Sequence, residues 1–167
     1  MTDIPRQTID EAILQAASFE KTSAEFYARL VAGFSYLPGV AAFFDEMRRE
    51  EIDHEKAVMS VRAALPAAEL AAEAPLELSL NLVNIQKLLD LVLGYAIENL
   101  HDAYELSYQL EFSEVNSVFK LLLTQVAPRE KREAFLDMSL DGHQHKLDDF
   151  DDLFGDHVWR RQQKFQK

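Results

Sequence analysis

A chain of 167 residues with 17 Lys and Arg against 29 Asp and Glu carries a formal charge of −12, which repels nucleic acid and anionic membranes at long range. Its length suits one domain, and 48% apolar residues with 11 Phe but only 5 Gly and 5 Pro exclude a disordered chain and favour an all-α globule. The absence of Cys excludes disulfides, thiolate-bound zinc or iron, and thiol chemistry.

The start, Met-Thr-Asp-Ile-Pro, has no basic-then-apolar secretion signal. The longest nearly apolar run, Leu88 to Ile97, carries Asp90 and is too short to span a bilayer. A cytoplasmic protein without a transmembrane segment is the expectation.

The first segment reads as a helix from about Gln7 to Phe34. Its apolar stripe, Ile9, Ile13, Ala16, Glu20, Ser23, Tyr27, Leu30 and Phe34, alternates steps of 4 and 3, so Glu20 falls in the middle of a heptad seam. Ser35 to Gly39 ends this helix, and Pro38 suits the first turn of a second one running to about Leu65. That helix repeats the pattern with Val40, Phe44, Met47, Glu51, His54, Val58, Val61 and Leu65.

Pro66 to Leu80 lacks a clear period and reads as a connection. At roughly 3.3 Å per extended residue it covers about 50 Å, enough to return along a bundle as one long crossover and set the second and third helices parallel. A third helix is predicted from Asn81 to Phe112, with Leu91, Gly94, Glu98, His101, Glu105, Tyr108 and Phe112 as its seam. A short extra helix over Glu114 to Gln125 follows. Pro128 then opens a fourth long helix ending near Gly155.

The fourth helix carries two candidate His about 200° apart, so only one faces inward. Leu136, Leu140, His143, Leu147, Phe150 and Phe154 form a 4-3 stripe that favours His143, while His145 would draw Gly142, Asp149 and Asp152 inward. Residues 1–155 are thus expected to form the bundle and 156–167 a basic C-terminal tail. From His157 onward that tail holds Arg160, Arg161, Lys164 and Lys167 with Trp159 and Phe165, and reads as a frayed end or a self-contact.

Buried carboxylates on seams need a counter-charge, because an unpaired one costs several kcal/mol. Glu20 and the two Glu-x-x-His pairs, Glu51 with His54 and Glu98 with His101, are expected in one layer, since residues three apart share a helix face. The bare Glu-x-x-His spacing is common; its position on the seams is what gives it meaning. Carboxylates and imidazoles from facing helices suit a bundle-core iron or manganese site, and His-rich sets also suit zinc. The candidate ligands are Glu20, Glu51, His54, Glu98, His101 and His143. The bland alternative is a polar layer that fixes helix register through hydrogen bonds alone.

On Glu20 with the following Glu25-Phe26-Tyr27, on Glu51-x-x-His54 after Phe44, and on Glu98, the chain resembles the rubrerythrin-like branch of the ferritin-like superfamily over roughly residues 7–155. The resemblance implies a ferritin-like four-helix bundle with a di-iron carboxylate site, reducing peroxide or dioxygen, and a small assembly, a homodimer. It implies that Glu20 and Glu98 are terminal carboxylates, Glu51 a bridging one and His54 a nitrogen ligand, with His101 where the family often has another acid. Two departures stand out. Leu140, or Gly142 in the other register, replaces the second bridging Glu, and the Cys-rich electron-transfer domain is missing, so turnover requires an external electron donor protein. The alternative is a non-catalytic metal-binding, iron-handling or scaffold protein with a degenerate site.

Overall fold

The computed structural model describes residues 6–112, 118, 121–129, 132, 142–159, 161 and 163–166, without the side chains of 123, 142–144 and 159. The elements are α1 (Ile9–Gly33), α2 (Pro38–Ala64), a one-turn α3 (Ala67–Leu70), α4 (Leu76–Gly94), α5 (Leu100–Glu111), a π-helical turn (Leu122–Val126) and α6 (Gly142–Trp159). Among the described residues there is no strand, only two isolated bridges. No helix of the described residues is long and apolar enough to cross a membrane.

Thr8 starts α1 through a capping box. Its hydroxyl accepts from the Glu11 amide at 3.2 Å, and the Glu11 carboxylate accepts from the Thr8 amide at 2.7 Å. Pro38 opens α2 at a position where its missing N–H costs nothing. The two helices pack as an antiparallel hairpin whose far ends are joined by Arg62 and Asp10, with Nε 2.6 Å from Oδ1. Both predicted seams are buried: Ile13 through Phe34 on α1 and Val40 through Leu65 on α2. Each fully buried Leu, Ile or Phe in this interface contributes about 1.5–3 kcal/mol.

The connection after α2 differs from the expected crossover. Ile9 N–H donates to Ala72 O and Ala74 N–H to Gln7 O, both at 2.9 Å, and Thr8 bridges Glu73. Residues 66–75 therefore stay at one end of the hairpin, held by backbone pairing to the start of α1. The chain enters α4 beside the start of α1, so α4 runs parallel to α1 and antiparallel to α2, which corrects the predicted crossover.

The expected single helix from Asn81 to Phe112 is two helices. Tyr95 is extended after Gly94, and Asn99 is extended and caps α5, its side chain accepting from the His101 and Asp102 amides. The buried stripe of α4 is Leu78, Leu82, Ile85, Leu89 and Val92, while Leu91 on the predicted seam is exposed. On α5 the buried residues are Leu100, Ala103, Tyr104, Leu106, Ser107, Leu110 and Glu111, and the predicted Tyr108 and Phe112 are outside. The break rotates the face by one to two residues.

The expected helix at 114–125 lies largely outside the described residues, as do the start of the fourth helix and Leu136 and Leu140. From Gly142, α6 packs on α5 and α2, burying Leu147 and Phe150, and Lys146 clamps Glu46 and Glu50 of α2. It continues to Trp159, past the expected end near Gly155.

Arg161 then turns the chain with φ 50°, a left-handed conformation that costs a non-Gly residue about 1–2 kcal/mol. Residues 163–166 form a strap across the end of the molecule. Leu100 N–H donates to Gln163 O at 2.9 Å, Phe165 N–H to Glu98 O at 3.0 Å and Gln166 N–H to Gly33 O at 3.0 Å. The Tyr36 hydroxyl donates to Lys164 O, and the Phe165 ring meets Phe34 edge-on at 5.5 Å. The tail is a self-contact, stitching the end of α1 to the α4–α5 break.

Candidate metal centre

Glu20 from the middle of α1 meets Glu51 and His54 from the middle of α2. These residues are 4%, 3% and 7% exposed, and each offers a ligand atom within 4.8 Å of the other two. His54 Nδ1 lies 3.6 Å from Glu20 Oε2 and 3.5 Å from Glu51 Oε2. Those separations exceed the 2.7–3.2 Å of a good N–H···O hydrogen bond. Two ligands held about 2.0–2.2 Å from a tetrahedral ion stand roughly 3.4 Å apart, so the spacing suits a shared ion better than a hydrogen bond.

Among the described residues, Glu20 Oε2 and, one turn on, Ser23 Oγ are buried with no hydrogen-bond partner. An unsatisfied buried acceptor costs about 1–3 kcal/mol, more when charged. A cation between Glu20, Glu51 and His54 would offset that cost. The donor set of two carboxylates and one imidazole fits zinc, iron or manganese.

A third carboxylate comes from α5. Glu111 is buried, and its Oε1 accepts from the Tyr27 hydroxyl at 2.6 Å. Burial first, then the charges of Glu111 and Glu51, hold the Tyr27 phenol well above its ordinary range. Tyr27 is expected to stay protonated and to brace Glu111. Removing the hydroxyl with Tyr27→Phe strips a buried carboxylate of this donor and should cost about 1–3 kcal/mol in chemical denaturation.

Burial pushes the His54 imidazole down, but the carboxylates of Glu20, Glu111 and Glu50 raise it further, leaving it above its ordinary value of 6.5. The folded metal-free protein thus binds this proton more tightly than the unfolded chain. The His54 contribution to stability is fully present below about pH 6.5 and is lost as pH rises through the raised folded value. Urea titrations across pH should show this decline in the metal-free protein and not in His54→Gln. Metal binding runs the other way, because only neutral imidazole ligates, and it should tighten with rising pH and release a proton.

Two of the other sequence-predicted ligands, Glu98 and His101, are elsewhere. Glu98 is exposed in the α4–α5 break, its amide donating to Asp102 Oδ2 at 2.9 Å and its carbonyl held by Phe165. His101, in the first turn of α5, is half-buried and lines a cavity with Asp102 and Glu105, outside the core group. The His143 side chain lies outside the described residues, as does Leu140; His145 is exposed. The residue that sequence reasoning missed is Glu111. Its signal was an acid one turn after Ser107 on the Leu100–Ala103–Tyr104 face, visible once α5 is capped at Asn99.

Compared with known proteins, the chain matches no family model, no curated protein and no solved structure.

Proposed function

We propose that the protein binds a divalent transition-metal ion in its helical core through Glu20, Glu51 and His54, with the buried Glu111, whose charge also reaches His54, as an additional carboxylate. The observation that carries this reading is the buried triad whose Glu20 Oε2 has no hydrogen-bond partner among the described residues. When bound, the ion supplies Lewis acidity or one-electron chemistry; the chain itself supplies a dry site, a negative field and a phenol that stays protonated beside the centre.

The rubrerythrin-like likeness narrows the ion to iron and the reaction to reduction of peroxide or dioxygen, with electrons from an external donor protein. The Tyr27–Glu111 pair favours this narrower reading, because it sets a buried hydrogen-bond donor on a carboxylate whose charge also reaches His54. A second ion would need Glu111 as well as Glu51. The likeness is confined to Glu20, Glu51 and His54, since Glu98 lies exposed in the α4–α5 break and the connection between α2 and α4 differs from the expected crossover.

Elemental analysis after purification and after loading with Fe²⁺, Mn²⁺ or Zn²⁺ tests the binding. Peroxide consumption by the ferrous protein then separates the readings. Several equivalents consumed per iron in the presence of a reductant support an oxidoreductase, and a single equivalent supports metal handling without turnover.

A further inference from the structure

We infer that a cavity outside the core, between the end of α4, the first two turns of α5 and Arg161, binds a free α-amino acid with an apolar side chain. The cavity measures about 320 Å³, and a second one shares Tyr95, Asp102 and Arg161 with it. That size sits at the small end of the roughly 300–1,000 Å³ of small-molecule sites, which fits a metabolite of amino-acid size.

Its lining is chemically divided. Asp102 and Glu105 supply negative charge from α5, and Arg161 supplies positive charge from the turn after α6. Among the described residues Arg161 makes no ion pair, and Glu105 makes none either, although both face one cavity. A zwitterion bridges such a pair, its ammonium toward Glu105 and Asp102 and its carboxylate toward Arg161. Leu91 and Tyr95, 62% and 55% exposed, stand at the same cavity with Leu106 behind them. They form an apolar wall that a ligand side chain would cover.

Simpler ligands fit less well. A bare cation meets the Arg161 charge, and these carboxylates do not converge with His101 as the core group does. A bare anion meets two carboxylates. Arg161 also holds its place at a backbone conformation that glycine adopts more easily, fixed between α6 and the strap.

The test is calorimetric titration of the full chain with L-phenylalanine and L-leucine, against 2-phenylethylamine and 3-phenylpropionate. Saturable binding of the amino acids is expected, with each half-ligand weaker by roughly tenfold or more. Arg161→Gly, which suits the φ of 50°, should weaken L-phenylalanine by a similar factor and leave 2-phenylethylamine unchanged. Glu105→Gln should weaken both. The inference is overturned if neither amino acid saturates, if the amine alone binds as tightly, or if Arg161→Gly binds L-phenylalanine like the parent.

Discussion

Replacing His54 by Ala is expected to abolish stoichiometric metal binding, and Glu51→Gln to do the same with less change of shape. Each removes one of the three ligand atoms that the α1–α2 hairpin brings together. A metal at a hundredfold excess over Kd stabilises the native state by about 2.7 kcal/mol, and both variants lose that stabilisation. For a domain of this size that is roughly 5–11 °C in Tm. Melting with and without added metal should show the shift in the parent and none in the variants. Glu111→Gln should weaken binding without abolishing it, while the exposed Glu98→Gln should bind like the parent. Loss of metal in Glu98→Gln would mean that the metal-bound protein has an unbroken third helix.

Gly33→Ala is expected to destabilise the fold even though Ala is the better helix former. Gly33 is the last residue of α1, where Ala would ordinarily gain about 0.5–1 kcal/mol. A Cβ there would land inside the Phe165 ring, whose nearest carbons leave no room for it. Forcing an extra carbon into packed structure costs about 1–3 kcal/mol, and here the adjustment must come from the strap. The steric clash outweighs the gain in helix propensity, so a net loss of about 1–2 kcal/mol is expected. The strap should also detach, freeing for trypsin the Lys164–Phe165 bond, whose carbonyl and amide are both held by hydrogen bonds. Phe165→Ala, which frees the space, should restore part of the loss when combined with Gly33→Ala, a coupling that a double-mutant cycle measures.

The sequence makes α1 and α2 fully legible because their apolar residues fit one 4-3 stripe each, and the polar intruders Glu20, Glu51 and His54 stand on it. The third helix misleads because α4 is apolar on several sides. Leu78, Leu82, Ile85, Leu89 and Val92 compete with Leu88, Leu91 and Gly94 for the inward face, and the Glu98–His101 pair tips the choice toward the outer one. Composition does not show that Asn99 caps a new helix, because the strap that pairs with residues 98–100 at this break is far away in sequence. The tail strap itself is a long-range contact with no local pattern. On the last helix, Leu147 and Phe150 face inward and His145 outward, in agreement with the 4-3 stripe.

The three core ligands all belong to one helical hairpin that ends by residue 64. A hairpin with a short turn closes quickly, because little loop entropy opposes it, whereas the strap joins positions such as 36 and 164 that are 128 residues apart. The first ligand set can therefore assemble on a growing polypeptide while the second half is still being synthesised. Glu111 and the terminal strap arrive later. A ribosome-bound chain in which residues up to about 75 have left the exit tunnel should already hold an ion, weakly, and arrival of Glu111 and the strap should convert that loose capture into retention.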